Sequence, residues 1–256
     1  MIELGKELMV RPNKKIYVSK DGKYLIKVFS SSKVSKADVL SEALNQARVE
    51  DANVLSTPSL KEVFKVGDDW CIAYGFIKGK TLWDMMEADK GNEIKYLEQM
   101  LDLQIATQKN NVPNLPSLTN KLQQRISMSR EYIEATTRYE LHVRLDSIPK
   151  HTKLCHCDFN PTNIIYGDDG KVYIIDWAHA ARGNASADIA YTYMWFMEKG
   201  RKDLAKAYLE MFCKKTDTAI QYVQKLMPIV AAAIVYRASP EERAFLLTQT
   251  QVADYE

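Results

Sequence analysis

The chain has 256 residues, 46% hydrophobic and 27% charged, enough apolar content to bury a core and too much for a disordered chain. Its formal net charge of +2 makes no electrostatic case for nucleic acid as a partner. The longest apolar stretch, Met227–Tyr236, contains Pro228 and is too short to cross a bilayer, so no membrane partner is expected.

The N-terminal Met1–Glu7 carries acids and no apolar core, unlike a signal peptide, and a cytoplasmic location is expected. Val10–Ile16 holds no glycine and cannot approach an anion as a bare backbone. Arg11, Lys14 or Lys15 could supply charge there instead, or Asn13 an amide. Ile16–Val18 and Tyr24–Phe29 flank a Lys20-Asp21-Gly22 turn and read as a hairpin. Lys27 stands in the middle of the second strand, and by itself reads as a solvated strand lysine. Ser35–Asp51 has helical apolar spacing at Val39, Leu40, Ala43, Leu44 and Ala47, with Glu42 near its start. Leu60–Val66 and Trp70–Ile77 read as strands, and Lys78–Leu82 as a turn opening a helix. Asn92 is placed to cap a helix over Glu93–Lys109, and Leu118, Leu122 and Ile126 share one face of another.

The segment Leu154–Trp177 carries the chemistry. Asp158 is followed five positions later by Asn163. Asn163–Tyr166 and Val172–Ile175 are apolar runs around the turn Gly167-Asp168-Asp169-Gly170, a hairpin signal. A hairpin brings its ends together, so Asn163 lies near Asp176. An amide and a carboxylate at one strand end suit Mg2+, a hard cation that keeps room for phosphate oxygens. Asp158, in the preceding loop, can then orient and deprotonate an attacking hydroxyl. Cys155 and Cys157 flank His156 too closely for a zinc knuckle, and together with Cys71 and Cys213 they read as structural or incidental thiols. Nothing in the sequence places a second histidine beside Cys157 to make it a nucleophile.

Beyond the hairpin, Ala185–Glu198, Lys202–Lys214 and Asp217–Tyr236 read as helices. Ser239-Pro240-Glu241-Glu242 opens a last one, with a capping serine, proline at the first helical position and glutamate at the third. A β-rich front followed by an α-rich back is an α+β two-lobe pattern. The expected division is 1–77 as an N-terminal nucleotide-binding lobe and 78–256 as a helical catalytic and substrate-binding lobe.

His156-x-Asp158 with Asn163, followed by Ile175-Asp176-Trp177, resembles the aminoglycoside phosphotransferase/choline kinase family, whose fold is protein-kinase-like. The resemblance is specific from about Leu154 to Ala190 and weaker elsewhere. It implies transfer of the γ-phosphate of ATP, or GTP, to a hydroxyl of a small molecule such as an aminoglycoside, choline, ethanolamine, thiamine or a sugar. Asp158 becomes the base, Asn163 and Asp176 the magnesium ligands, and His156 and Asp188 supports of the catalytic loop. Lys27 becomes the phosphate contact, held by Glu42, with Glu50 as the competing acid. Ala73, Tyr74, Gly75 and Phe76 fall at the hinge whose backbone meets the adenine edge, and Ile165 and Ile175 line the nucleotide site. Trp177, Tyr191 and Glu198 are candidate contacts for a cationic acceptor, and the acids Asp254 and Glu256 a further possibility for one. A monomer or weak dimer is expected. The alternatives are a catalytically dead nucleotide-binding homologue and a protein-kinase-like enzyme. Asp176-Trp177-Ala178 in place of Asp-Phe-Gly counts against the second.

Overall fold

The computed structural model describes residues 2–53 and 55–251, so Asp254 and Glu256 lie outside the described residues. In chain order the elements are β1 (Leu4–Val10), β2 (Lys14–Ser19), β3 (Tyr24–Phe29), α1 (Lys36–Asp51), β4 (Leu60–Val66), β5 (Asp69–Gly75), β6 (Gly79–Thr81) and α2 (Leu82–Ala88). Next come α3 (Glu93–Gln108), α4 (Leu118–Met128), α5 (Ala135–Asp146), β7 (Lys153–Cys155), β8 (Ile164–Gly167), β9 (Val172–Ile174) and β10 (Ala181–Gly183). The chain ends in α6 (Ala185–Glu198), α7 (Lys202–Thr216), α8 (Ile220–Gln224), α9 (Met227–Val235) and α10 (Pro240–Gln249). It gathers into two compact units, one made of Met1–Ala88 with Pro161–His179, the other of Asp89–Asn160 with Ala180–Glu256.

In the first unit five antiparallel strands take the order β1-β2-β3-β5-β4. Successive side chains of a strand point to opposite faces, and partners across a ladder share one. Phe29, Ile72 and Tyr74 therefore pack on one face with Val39 and Ala43 of α1. Ile26, Val28, Cys71 and Ala73 make a second cluster on the other face. The second sheet of this unit is β6-β8-β9. Its β6 replaces the turn expected at Lys78–Leu82: Gly79 sits at φ 158° against Gly167, where a Cβ would collide with the Tyr166 carbonyl.

Helix α1 is capped by Ser35, which accepts from the Asp38 N–H. Its inward face keeps Val39 and Ala43 of the expected apolar set but not the leucines. Leu40 and Leu44 are 41% and 49% exposed, while Glu42, Asn45 and Gln46 are buried. Each inward polar group is satisfied: Asn45 donates to Ala178 O at 3.0 Å and Gln46 to Thr57 Oγ1 at 2.9 Å and Pro58 O at 2.6 Å. Hydrogen bonds let polar groups take the place of leucines at such an interface.

The second unit is helical around one large cluster, in which Leu118, Leu122 and Ile126 of α4 meet α9 and Tyr191 and Met194 of α6. Three expectations change here. Asn92 precedes α3, but its side chain makes no cap bond and donates instead to Asp89 Oδ2 at 2.8 Å. The single helix expected over Asp217–Tyr236 is broken. Asp217 adopts a left-handed conformation, φ 51°, with its N–H on Cys213 O, which closes α7 before α8 and α9 begin. Helix α5 has no counterpart among the expected elements; only Leu141 and Leu145 of its residues are buried, too few for a periodic signal. The capping box of α10 is as expected, with Ser239 Oγ accepting from the Glu242 N–H and Glu242 accepting from the Ser239 N–H at 3.0 Å.

Candidate active site

In the first unit the register of β3 sets the chemistry. Lys27 is opposite Ile72 of β5 and on the face covered by α1. Its ammonium, on a buried side chain, donates to Glu42 Oε1 at 2.7 Å and to Asp176 Oδ1 at 2.9 Å. Tyr74 Oη donates to the same Glu42 oxygen at 3.1 Å, and its ring stands 5.3 Å from the Lys27 ammonium. Burial works against the charge of Lys27, but Asp176 and Glu42 outweigh it and hold its pKa well above the ordinary range. The competing acid, Glu50, is used elsewhere: it accepts from the Leu60 N–H at 2.8 Å.

Asp176 follows β9 at φ 63°, a conformation a non-glycine residue adopts at a cost of about 1 kcal/mol or more. Ile175, half-buried beside it, donates its N–H to Asn163 O at 2.9 Å, so the hairpin brings Asn163 and Asp176 together as expected. Burial alone would raise the Asp176 pKa, yet Lys27 and then Lys14, 3.8 Å from Oδ2, keep the carboxyl well below the usual carboxylate range. Among the described residues no group of three or more His, Cys, Asp or Glu converges on a metal position. The donors present are an ionised carboxylate and an amide. They fit a hard cation that takes few protein ligands and fills its shell with water and phosphate.

At the expected hinge, Ala73 and Tyr74 are buried in β5. The Gly75 N–H is committed to Ser59 O at 2.8 Å and the Phe76 N–H to Lys23 O at 2.9 Å. Those two N–H groups are spent within the fold, which leaves the carbonyls of Gly75 and Phe76 as the backbone groups these two residues could offer an adenine edge. Ile165 is half-buried in β8, opposite Thr81 and Tyr173. Trp177 is corrected. It is 1% exposed and donates its indole N–H to Ile174 O at 3.0 Å, which leaves no ring face for an acceptor.

In the second unit the short ladder of β7 with β10 delivers the chain to His156-Cys157-Asp158. Cys157 is left-handed, φ 61°, and its N–H is held by Asp188 Oδ1 at 2.6 Å. Asp188 is wholly buried near the start of α6 and also accepts from Gln104 at 2.9 Å and Gln108 at 3.1 Å. A charge-assisted bond at this position offsets the strain that turns the loop beside Asp158. His156 is buried with its ring edge-on to Phe159 at 5.7 Å. Burial pushes the Cys157 thiol up to about 12, so it stays protonated at neutral pH.

Asp158 accepts from Asn160 Nδ2 at 3.0 Å and lines a cavity of about 210 Å³ with Tyr191, Trp195, Glu198, Arg237 and Glu242 among its walls. Two of the expected acceptor contacts, Tyr191 and Glu198, thus join Asp158 in one cavity. The Tyr191 hydroxyl accepts from Arg125 at 3.1 Å. Burial, and after it the charge of Glu242, raise the Glu198 carboxyl to about 7. As site residues Arg237 and Glu242 leave no signal in the sequence, where Glu242 reads only as part of a helix cap. Both follow α9, and only the return of α9 against α6 brings them to this cavity.

The sequence pattern of the phosphotransferase enzyme family matches residues 13–222. No curated protein sequence matches the chain. Among solved structures, the apo form of a thermostable mutant of aminoglycoside phosphotransferase APH(4)-Ia is similar with a TM-score of 0.71 at 13% identity, covering 96% of this chain and 92% of that one. Choline kinase LicA from Streptococcus pneumoniae is similar with a TM-score of 0.64 at 15% identity, covering 97% and 92%. Aminoglycoside-3'-phosphotransferase of type VIII gives 0.63 at 14%, covering 96% and 93%. At such identities the likeness is one of fold, and it is the α+β kinase-like fold expected from the sequence. With the family pattern spanning both the β3 lysine and the Asp158–Asp176 segment, the chain belongs to the phosphotransferase enzyme family.

Proposed function

We propose that the protein is an ATP-dependent O-kinase that moves the γ-phosphate to a hydroxyl of a small, amine-bearing molecule. The observation that carries this reading is the buried Lys27 ammonium, gripped by Glu42 at 2.7 Å and Asp176 at 2.9 Å. Burying an ammonium between two carboxylates is expensive unless the charge serves a ligand. A triphosphate is the ligand that needs a fixed cation beside a metal-binding carboxylate. A dead nucleotide-binding homologue would need that cation too; the base, Asp158, is what it would have least reason to keep. Structural neighbours are described as ternary complexes with ADP and hygromycin B and with ATP and streptomycin, which supports a nucleotide as donor. GTP is the alternative donor.

In this reading Lys27 holds the phosphates from the 1–77 lobe, and Asn163 and Asp176 would hold magnesium. When bound, magnesium neutralises charge that builds on the phosphate oxygens. Asp158 accepts a hydrogen bond from the acceptor hydroxyl and takes its proton as the new P–O bond forms. Asp188 acts through the Cys157 N–H to keep the Asp158 loop in its strained turn. The cavity beside Asp158 would receive the acceptor. Its acids Glu198 and Glu242 and its aromatic Trp195 support a cationic group.

The test is transfer of labelled γ-phosphate from ATP or GTP to a panel of choline, ethanolamine, aminoglycosides, thiamine and neutral sugars. Incorporation into an amine-bearing acceptor is the expected result. Turnover of neutral sugars alone would sink the amine preference, and no transfer to any acceptor would sink the kinase reading.

The acceptor reading also carries a pH dependence. With its carboxyl near 7, Glu198 is neutral below that pH and anionic above it. For a quaternary ammonium acceptor, whose charge is fixed, kcat/KM should rise about three- to tenfold between pH 6 and 8 through a falling KM. Glu198→Gln should flatten that KM profile and leave the ATP KM unchanged. An unchanged profile in the variant would remove Glu198 from the acceptor site.

A further inference from the structure

Phosphate-binding turns commonly offer backbone N–H groups, freed by glycines, to the anion. The turn between β1 and β2 does not. It reads Arg11-Pro12-Asn13 and holds no glycine. The Arg11 N–H is spent on Lys14 O at 2.8 Å, and proline has no N–H to give. The turn is pinned from outside as well: Ser30 N–H donates to Asn13 O at 3.0 Å and Lys33 Nζ to Pro12 O at 2.9 Å. A phosphate approaching here would meet few amide donors.

The register supplies another donor. In the β2–β3 ladder Lys14 is opposite Phe29 and Ile16 opposite Lys27. Lys14 therefore projects from the same face as Lys27, two residues along, while Lys15, opposite Val28, projects from the other. The two lysines reach the two oxygens of one carboxylate. Lys27 is 2.9 Å from Asp176 Oδ1, and Lys14 is 3.8 Å from Oδ2. The second distance is too long for a hydrogen bond, so Lys14 faces the carboxylate as a charge with donors to spare. Its side chain is 22% exposed, against 9% for Lys27, which leaves it open to a ligand arriving at Asp176.

We propose that Lys14 is a second phosphate-binding ammonium, replacing with a side chain the amide cradle this turn lacks, and that its ligand is the terminal phosphate region of a nucleoside di- or triphosphate. The inference rests on the nucleotide-binding reading given above. It goes beyond that reading in adding, on β2, a second phosphate contact to Lys27 of β3. Of the four candidates read in this segment, only Lys14 is brought to Asp176.

Calorimetric titration separates the two readings. Wild type, Lys14→Ala, Lys14→Gln, Lys14→Arg and Lys15→Ala are each titrated with ATP, ADP and adenosine in the presence of magnesium, after a thermal melt shows that each is folded. Removing one charge-assisted contact should weaken ATP about tenfold or more in Lys14→Ala and Lys14→Gln. Arginine should keep ATP binding within about threefold, since it retains the charge. Lys15→Ala should match wild type, and adenosine, which has no phosphate, should bind all five proteins alike. Wild-type ATP affinity in the Ala and Gln variants overturns the proposal for Lys14 alone. Equal loss of ATP and adenosine also overturns it, because the residue would then be shaping the fold. Failure of the wild type itself to bind ATP or ADP would sink the nucleotide reading, and Lys14 with it.

Discussion

Asp158→Asn should lower turnover by on the order of a hundredfold or more while leaving ATP affinity nearly unchanged. The substitution is close to isosteric, and the asparagine carbonyl can still accept the Asn160 Nδ2–H that Asp158 Oδ1 accepts now at 3.0 Å. What it removes is the ability to take a proton. The loop itself should hold its shape, because its strained residue is Cys157, whose N–H is fastened to Asp188 and not to Asp158. A loss confined to turnover, with calorimetric ATP binding intact, is the pattern for a group that acts on the acceptor hydroxyl. Near wild-type turnover on a verified acceptor would show that another group accepts the proton.

The parts of the molecule legible in the sequence are those whose signal is local. The hairpin of β8 and β9 was written in two β-branched runs and a Gly-Asp-Asp-Gly turn, and α10 in a capping box. The juxtaposition of Asn163 with Asp176 followed from the hairpin alone. The grip of Glu42 on Lys27 came from resemblance, and the structure has the contact at 2.7 Å. Yet the helix that carries Glu42 is not turned as its leucines suggest. Buried amides with hydrogen-bond partners of their own outweighed them, and those partners, Ala178 and Pro58, lie outside the helix. Long-range partners leave no local signal.

The same limit explains the site residues that had to be corrected. Trp177 looked like a ring beside the metal position, but its indole is consumed by the hairpin it follows. Lys14, one of four candidates in a glycine-free turn, is singled out only by the β2–β3 register. Arg237 and Glu242 become part of the Asp158 cavity through helix packing.

Asp176→Ala should remove most of the magnesium dependence of nucleotide binding. The carboxylate is ionised and an oxygen donor, and it is the charged member of the proposed metal pair. A charged contact of this kind is worth roughly 1.5–3 kcal/mol, about ten- to a hundredfold in affinity. Wild-type protein should therefore bind ATP more tightly with magnesium than without it, and Asp176→Ala should show almost no difference between the two conditions. Asn163→Ala should move the same way but less far, since a neutral amide contributes less to a cation. Alanine at φ 63° carries a backbone cost that aspartate, with its local hydrogen bonding, tolerates better. Asp176→Asn avoids that cost, keeps one oxygen and loses the charge, and should fall between wild type and Asp176→Ala. Glu42, 2.7 Å from Lys27, is untouched by these substitutions, so the lysine should stay placed and metal-free binding should persist or even strengthen as a competing carboxylate is lost. That separates a metal ligand from a merely structural acid, whose removal would weaken binding with and without magnesium alike. Equal magnesium dependence in wild type and Asp176→Ala would refute the assignment.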